Sequence, residues 1–350
     1  MSEGTFPSLK QVAKLAGVSP STASRALAER GYTSAEARAR VISAAKQLGY
    51  EPDLAARTLK SRSSAVLGVE IQDITNPFYA SVTAGIADVC RGGGYVPLLF
   101  DSQEDPARER ESLRVMLRSR VAGLIIVPTN ANVALLRRFE AHEIPLVQVD
   151  RTVPNLVSDS VLVDNILGAY QGTKHLLELG HTRIGVIAGP RALTTGRDRL
   201  AGFKLAMDEA GVPVDDRYVK YSDYRRDTGA VLARELVDEM PRPTAIFAHN
   251  NVLVERLLAV LGERRVRVPE DIAVVSFDDP GWARLVTPPL TVIRQPTRSM
   301  GAMAAELLLR RLRGDEDDGA PTHVVLKPAL VVRGSCGGQP DALVEGPDDS

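Results

Sequence analysis

Two groups of polar residues in this sequence have the types and spacing of a binding surface. The first is the stretch VSPSTASRAL, residues 18–27, where hydroxyl side chains and alanines surround a single charge, Arg25. The second is a series of polar residues that follow apolar, β-branched runs: Asp73, Asp101, Asp150, Asn250 and Asp278. Such side chains bind through hydrogen bonds, and no nucleophile, base or metal-ligand pattern accompanies them. The chemistry they support is therefore binding.

The charge of the chain is unevenly distributed. The 350 residues carry a formal charge of −1, but residues 1–62 hold ten Lys and Arg against five Asp and Glu. This head carries +5 and the remainder −6. A basic head on an acidic body is typical of a polyanion-binding module fused to another domain. On charge alone, a solvated charged surface stays open as the alternative.

Composition excludes several other classes of protein. With 44% hydrophobic and 25% charged residues the chain is typical of soluble globular proteins. We expect a cytoplasmic protein without a membrane segment, because no 18-residue apolar run and no signal-peptide pattern occurs. Cys90 and Cys336 lack spaced His or Cys partners, so we expect structural thiols, no metal ion and no cofactor.

The basic head predicts three short helices. A capping box of Ser8 and Gln11 begins the first, and Ser19 caps the second. Ala13 and Ala23 are small enough for these two helices to cross closely, which is the helix-turn-helix arrangement. A third helix, which we expect Thr33 and Glu36 to cap, completes the core of this headpiece at residues 1–50.

The second helix has the composition of a helix that reads DNA. Its N-terminal residues face outward, and their short side chains let the backbone approach a duplex closely. Arg25 can donate two hydrogen bonds to a guanine edge, whereas a glutamate on this face would be repelled by phosphate. An amphipathic helix of an unrelated bundle is the alternative. The predicted DNA contacts of the headpiece are Ser8, Pro20, Ser21, Thr22, Ser24 and Arg25.

The rest of the chain predicts an α/β domain of two lobes. Apolar runs such as AVLGVEI, VAGLIIVP, RIGVIAG and IAVVSFDD recur between helix-length segments, which indicates parallel sheets covered by helices. We place the first lobe at about residues 65–163 and 292–322, and the second at about 164–291 and 323–336. Ligands of such sheets bind beyond the carboxyl ends of the strands, here in the cleft between the lobes.

Three other candidate sites are weaker. CRGGGYV, residues 90–96, ends a helix and precedes a strand, whereas a phosphate loop follows a strand and opens a helix. Asp278 and Asp279 are adjacent on a strand and so point to opposite faces, which argues against a catalytic pair. His175 is expected in a helix and His181 in a turn, and neither is predicted to be a metal ligand. We therefore predict that the protein is not an enzyme.

Several motifs together resemble the lactose/galactose repressor (LacI/GalR) family of transcriptional regulators. The resemblance starts in the headpiece and continues through NPFY at 76–79, GHTRIGVIAG at 180–189, RLAGF at 199–203, VPEDIAVVSFDD at 268–279 and TPPLTVIRQP at 287–296. It covers roughly residues 8–333. It implies a periplasmic-binding-protein-like body, a homodimer on a palindromic operator, and an effector that is a sugar or sugar derivative.

The resemblance also implies a hinge helix within residues 51–64. In the family this helix inserts a leucine into the minor groove of DNA, and by motif position that leucine is Leu59, with Ala56 and Lys60 beside it. A helix this short is marginal alone, so it is a candidate switch. Acting on DNA, the protein is expected at the nucleoid.

Effector contacts follow from the same resemblance. It places them at Asp73, Phe78, Asp150, Thr195, Arg199, Tyr224, Asn250, Asp278 and Gln295. To these the residue chemistry adds Asp101, at a strand end, and Trp282, an aromatic that can stack on a sugar ring. For any single position, a turn cap or a contact between the lobes is the alternative.

Two features depart from the family pattern. The family usually has aspartate after the amide of Asn250, and here the residue is Asn251. The helix that follows reads VLVERLL, residues 252–258, where small residues are common in the family. These departures predict a difference in the effector site or in the contact between the lobes.

The sequence therefore predicts a DNA-binding regulator, by resemblance a repressor, controlled by a small effector. A solute-binding sugar receptor is one alternative, which the basic headpiece and the lack of a signal peptide disfavour. A regulator that binds no small effector is another. The end of the chain, residues 337–350, is rich in Gly, Pro and acidic residues and lacks the leucine heptads of family tetramers, so we expect a disordered tail and a dimer.

Overall fold

The amino-terminal residues fold as three short helices with their own start and stop signals. The structure is a computed structural model that describes residues 7–27, 32–50, 65–224, 226–315 and 320–339. The chain divides into two units, residues 1–65 and 66–350. The helices of the first unit are α1 Leu9–Ala16, α2 Pro20–Leu27 and α3 Ala35–Leu48.

The predicted caps of the first two helices are confirmed. Ser8 Oγ accepts a hydrogen bond from the Gln11 amide at 3.4 Å, and Gln11 Oε1 accepts from the Ser8 amide at 2.7 Å. Ser19 Oγ accepts from the Thr22 amide at 3.1 Å. Gly17 ends α1 in the left-handed conformation, φ 65°, which glycine adopts without strain. Local side chains thus satisfy the free amides at the helix starts.

The expected cap of the third helix is wrong by one residue. Ser34, and not Thr33, is the N-cap of α3, because Ser34 Oγ accepts from the Ala37 amide at 3.3 Å. Glu36 consequently lies in the first turn, where its charge suits the helix dipole. Adjacent Thr and Ser are both good caps, so sequence alone did not separate them.

Small residues form the core of the headpiece. Val12, Ala23, Ala26 and Val41 are almost fully buried, and Leu27 packs against them. On α2, the core thus includes Ala26 in addition to Ala23, which was predicted at the crossing with α1. The predicted hinge, residues 51–64, lies outside the described residues, as do its members Ala56, Leu59 and Lys60 and the tail from residue 340 onward.

Strands and helices alternate along the second unit. Its strands are β1 Val66–Ile71, β2 Val96–Asp101, β3 Gly123–Ile126, β4 Leu146–Val149, β5 Asp159–Val163, β6 Ile184–Ala188, β7 Val219–Tyr221, β8 Ala245–Ala248, β9 Ala273–Phe277, β10 Thr291–Arg294, β11 His323–Leu326 and β12 Ala329–Val331. Its helices are α4 Pro77–Gly93, α5 Pro106–Arg118, α6 Val133–Ala141, α7 Asn165–Glu178, α8 Thr194–Glu209, α9 Arg226–Asp238, α10 Asn251–Glu263 and α11 Thr297–Arg313. Three short 3₁₀ turns occur at Asp216–Tyr218, Gly281–Arg284 and Gly334–Cys336.

Two six-stranded sheets form the two predicted lobes. The first sheet has the order β11-β5-β4-β3-β1-β2 and is parallel throughout. The second has the order β12-β10-β9-β8-β6-β7, in which only β12 is antiparallel. Apolar residues cover both faces of each sheet, as parallel strands with helices on either side require.

Two later strands lie in other lobes than predicted. β11, at 323–326, pairs in parallel with β5, so it belongs to the first lobe and not to the second. β10 pairs with β9 and belongs to the second lobe, although we assigned residue 292 onward to the first. Both strands have apolar patterns that suit either sheet, and only the pairing partner decides between them.

A buried carboxylic acid lies inside the first lobe. Glu70, the last residue but one of β1, has none of its surface exposed. Burial, with the nearby charge of Glu109, raises the pKa of Glu70 to about 8 from its ordinary value of 4.5, although hydroxyls of Ser112 and Ser102 oppose the shift. Glu70 therefore binds its proton more tightly in the folded state than in the unfolded state. This protonation contributes folded-state stability that is complete below pH 4.5 and is lost as the pH rises through 8.

We expect Glu70→Gln to remove this pH dependence. An amide has no proton to lose, so from pH 5 to pH 8 the variant should gain about 1.4 kcal/mol of unfolding free energy per pH unit relative to the natural protein. Urea denaturation at four pH values measures this difference. Glu111→Gln, at an exposed position of α5, is the matched control and should follow the natural protein. Parallel curves for the natural protein and Glu70→Gln would contradict the prediction.

Candidate functional site

Hydroxyl groups cluster at the start of α2 in the headpiece. Ser19 Oγ lies 2.9 Å from both Ser21 Oγ and Thr22 Oγ1. Pro20, Ser21 and Arg25 are exposed, and Thr22 and Ser24 are half-buried. From the sequence, Ser19 was predicted only as a helix cap. The structure shows that Ser19 also orients the two hydroxyls beside it.

The outer face of α2 suits a negatively charged, groove-shaped partner. Its first turn has no acidic residue, so the positive end of the helix dipole is not offset by a side chain. Arg25 is exposed, and its Nε lies 3.4 Å from the Ser21 carbonyl oxygen, which keeps the guanidinium beside the N-terminal half of the helix. Ser8 is exposed at the start of α1, where its hydroxyl is engaged in the capping box.

A cavity of about 520 Å³ lies between the two lobes at the carboxyl ends of their strands. Nine of the eleven predicted effector residues line it. These are Asp73, Phe78, Asp150, Thr195, Arg199, Tyr224, Asn250, Asp278 and Gln295. The topology brings them together because the strand order of each sheet puts the carboxyl ends of β1, β4, β6, β8 and β9 at the cleft.

Three of these lining residues have a left-handed backbone. Asp150, Tyr224 and Asp278 have φ values of 68°, 64° and 75°. Non-glycine residues rarely adopt this conformation, and where they do, they cluster at binding sites. The Tyr224 ring packs closely against Gly189, the residue after β6, and a Cβ at position 189 would force that ring to move.

Arg199 is fixed from two sides. Its Nε donates to Asn165 Oδ1 at 2.7 Å, its Nη1 donates to the His249 carbonyl oxygen at 2.6 Å, and its guanidinium stacks on the Phe277 ring at 3.8 Å. Burial and the charge of Arg199 lower the pKa of His249 to about 3, so that imidazole is neutral. A buried guanidinium held this rigidly is suited to orient a hydroxylated ligand.

Asp150 and Arg151 form the polar wall contributed by the first lobe. Arg151 is almost fully buried, and its Nη2 donates to Glu104 Oε1 at 2.6 Å. Burial raises the pKa of Asp150 to about 6, although the charges of Arg151 and Arg199 oppose the shift. Near neutral pH, Asp150 is thus mostly a carboxylate that can accept hydrogen bonds from a ligand.

The second lobe and the connection between the lobes supply the opposite wall. Asp278 Oδ1 accepts from Gln295 Nε2 at 2.5 Å, and Asp278 Oδ2 accepts from the Asn251 amide at 3.1 Å. Asn250 Oδ1 caps α10 by accepting from the Leu253 amide at 2.8 Å. Capping and cavity lining therefore coincide at these strand ends.

Two predicted effector residues lie outside the cavity lining, so the structure does not bring them to the predicted site. Asp101 instead forms a turn after β2, where Oδ1 lies 3.3 Å from the Gln103 amide. Trp282 packs against the core of the second lobe, which includes Ala283 and Leu290. Asp at a strand end and an aromatic in a loop satisfy turns and cores as readily as ligands.

Several residues of the cavity wall were not predicted from the sequence. Besides the predicted set, the lining includes Gln72, Asn76, Tyr79, Gln103, Glu104, Asp105, Arg108, Arg151 and Asp227. The adjacency of Arg151 to Asp150 was an available signal. No sequence signal marked Glu104, because its contact with Arg151 depends on the left-handed backbone of Gln103 and Glu104, with φ values of 52° and 54°.

The charge balance of the lining favours a neutral, hydroxyl-rich ligand. Six carboxylates and three guanidiniums line the cavity, so an added anion would meet net repulsion. A sugar hydroxyl both donates and accepts, and carboxylates, amides and guanidiniums in one wall satisfy both roles. Among the described residues, no group of three His, Cys, Asp or Glu side chains is placed to hold a metal ion.

Models of two known families match the sequence. "Bacterial regulatory proteins, lacI family" covers residues 8–53, which include α1 to α3, and "Periplasmic binding protein-like domain" covers residues 173–336. The ribose operon repressor of Escherichia coli strain K12 is 33% identical over 330 residues, which span 93% of this chain and 99% of that repressor. The chain belongs to the LacI family.

Other LacI-family proteins are similarly close. The transcriptional repressor PurR of Photobacterium profundum is 31% identical over 328 residues, covering 93% of this chain and 98% of that protein. The regulator CelR in complex with cellobiose superposes with a TM-score of 0.72 at 32% identity, covering 94% of this chain and 99% of CelR. The lac repressor dimer bound to operator and the anti-inducer ONPF gives 0.83 at 25% identity, covering 95% and 99%.

Membership of the LacI family confirms the predicted fold class and the coarse function. The chain is a DNA-binding transcriptional regulator with a helix-turn-helix headpiece and a two-lobed α/β domain. Its relatives are transcriptional repressors, a non-enzymatic family, which confirms that it is not an enzyme. No helix in the described ranges is long and apolar enough to cross a bilayer.

Proposed function

We propose that this protein represses transcription from a palindromic operator as a homodimer, and that a neutral sugar in the cleft controls its operator affinity. In this proposal two copies of α2 enter successive major grooves, with Arg25 contacting a base edge and Pro20, Ser21, Thr22, Ser24 and Ser8 positioned at or near the duplex. The hinge residues Ala56, Leu59 and Lys60 order on DNA and contact the minor groove. The protein then acts at the nucleoid.

One observation carries the effector part of the proposal. The cavity between the lobes is lined by both hydrogen-bond donors and hydrogen-bond acceptors, and its volume is large enough for a sugar. The excess of carboxylates in the lining disfavours anionic ligands. The names of the relatives support the same class, since one is a ribose operon repressor and a solved neighbour holds cellobiose. A ligand that changes the angle between the lobes can shift the equilibrium of the DNA-binding state.

Thermal unfolding against matched ligands tests this function. We expect at least one of ribose, glucose and cellobiose to raise the melting temperature, because a ligand of the native state stabilises it. Glucuronate and ribose 5-phosphate, the charged counterparts, should raise it less. A stronger effect of the charged ligands, or none from any sugar, would contradict the proposed effector class.

Two aspartate variants show where the sugar binds. Asp150→Leu should weaken binding of the active sugar by roughly ten- to a hundredfold, because a charge-assisted hydrogen bond is lost inside the cleft. Asp208→Leu, at an exposed position of α8 outside the cavity lining, is the matched control and should leave the affinity unchanged. Calorimetric titration measures both. Equal losses in the two variants would contradict binding in this cavity.

A further inference from the structure

A buried hydrogen bond joins the two lobes beside the cavity. Asn251 Nδ2, at the start of α10 in the second lobe, donates to Asn76 Oδ1 in the first lobe at 2.7 Å. Asn76 is the N-cap of α4, and both side chains are less than one-tenth exposed. The bond therefore connects the helix starts that face each other across the cleft, away from bulk water.

The direction of this hydrogen bond is fixed by its neighbours. Asn76 Oδ1 also accepts from the Phe78 amide at 3.0 Å, so this atom is the carbonyl oxygen and Asn251 must present its Nδ2. The Asn251 amide donates to Asp278 Oδ2 at 3.1 Å. An acceptor at position 251 would face Asn76 Oδ1 and lie near the Asp278 carboxylate. A donor is therefore required there, and a carboxylate cannot supply one.

Both partners of the Asn251–Asn76 hydrogen bond are joined to residues of the cavity lining. Asn250 precedes Asn251 in the chain, and Asp278 accepts a hydrogen bond from the Asn251 backbone amide. On the other side, the Phe78 amide donates to Asn76. All three of these residues line the cavity. A ligand that displaces any of these three residues therefore also shifts the hydrogen bond between the lobes.

Other hydrogen bonds between the lobes in the described part of the chain are less well placed. Asn130 Nδ2 donates to the Ala192 carbonyl oxygen at 2.9 Å, at an exposed position. The Thr152 amide lies 3.4 Å from Thr194 Oγ1, at the upper limit for a hydrogen bond. Water competes with an exposed pair, so breaking it changes the lobe equilibrium less than breaking the buried pair.

We propose that Asn251 is a positioning residue that holds the two lobes closed around the effector through Asn76. The inference rests on the proposed function for its biological meaning, because closure matters only if a ligand in the cleft controls the protein. The amide at position 251 gives this chain a donor that needs no bound proton. An uncharged pair of side chains, Asn251 and Asn76, consequently holds the lobes closed.

Distances between the lobes test the proposal without any effector. Spin labels at Glu111→Cys in the first lobe and Asp208→Cys in the second report the separation in the full chain, and both positions are exposed while native Cys90 and Cys336 are buried. We expect Asn251→Asp to raise the population of open molecules roughly five- to tenfold. Asn251→Ala, which removes the donor without adding charge, should act in the same direction and serves if the first variant does not fold.

An asymmetry between the two partners separates this role from a merely structural one. Asn76→Asp keeps an acceptor for both the Phe78 amide and Asn251 Nδ2, so its distances should match those of the natural protein. Asn130→Ala, at the exposed bond, is the second control and should also leave the distances nearly unchanged.

Two results would overturn the inference. They are unchanged distances in both Asn251 variants, and opening by Asn76→Asp equal to that by Asn251→Asp. If the Asn251 variants open but no sugar raises the melting temperature, the role of Asn251 stands and the proposed effector class is rejected. If a sugar binds but the distances do not change, the effector class stands and the role of Asn251 is rejected.

Discussion

Replacing Asp279 with leucine should lower the free energy of unfolding by about 3–5 kcal/mol. The Asp279 carboxylate is 4% exposed and accepts from Arg333 Nη1 and Nη2 at 2.8 and 2.7 Å and from Arg294 Nε at 2.9 Å. Leucine would leave these guanidiniums, 12% and 19% exposed, without their counter-charge. Urea denaturation, followed through the transition of the second lobe, measures the loss.

The pKa of Asp279 gives this prediction a pH dependence. Burial alone would raise the pKa, but the hydrogen bonds and charges of Arg333 and Arg294 outweigh it and lower the pKa below the ordinary value of 3.8. The stabilisation is therefore complete above pH 3.8 and is lost as the pH falls through the folded-state pKa. Asp279→Leu should approach the natural protein in stability under strongly acidic conditions.

An exposed ion pair supplies the matched control. Asp238 pairs with Arg264 at 2.6 Å, but both side chains are nearly half exposed. Asp238→Leu should therefore cost far less stability than Asp279→Leu, since water screens the pair. Equal losses at the two positions would show that burial of the Asp279 cluster does not determine its contribution.

Replacing Arg25 with alanine should reduce operator discrimination at one base step by about 1–3 kcal/mol, roughly five- to 150-fold in relative affinity. Arg25 is the one basic residue of α2, and it is exposed beside the N-terminal half of that helix. A bidentate contact with guanine loses energy only for the correct base, so binding to other duplexes should change little. Selection of duplexes from a random library, followed by fluorescence anisotropy on single-base variants, measures the ratio.

A second arginine distinguishes base reading from charge. Arg40 is an exposed residue of α3, outside the recognition helix. Arg40→Ala should leave the preferred sequence unchanged and at most lower the affinity for all duplexes alike. If Arg25→Ala also loses affinity equally on every sequence, Arg25 contacts only phosphate.

Local signals made the headpiece largely predictable. The cap at Ser8, the cap at Ser19 and the left-handed Gly17 each depend on residues within four positions along the chain. The one error, Thr33 for Ser34, also concerns two adjacent residues that compete for the same role. Where contacts are local, sequence and structure differ by at most a residue.

The cavity was predictable to the extent that it follows strand ends. Asp150, Asn250 and Asp278 come directly after apolar strands, and parallel sheets gather such positions at one edge. Asp101 has the same sequence context and was predicted with them, yet it turns away. The rotation of one side chain about a strand end depends on the loop that follows, which the residue pattern does not specify.

The sequence by itself determined the class of the protein: a basic helix-turn-helix head, a two-lobed α/β body, polar residues at strand ends, and the motifs of the LacI family. These features depend on local periodicity and on residue types that suit one role. The tertiary structure alone decided which sheet takes β10 and β11, that Glu104 reaches Arg151, and that Asn251 bonds to Asn76, 175 positions away. Such contacts join residues far apart in the chain, and their geometry arises only when both lobes have packed.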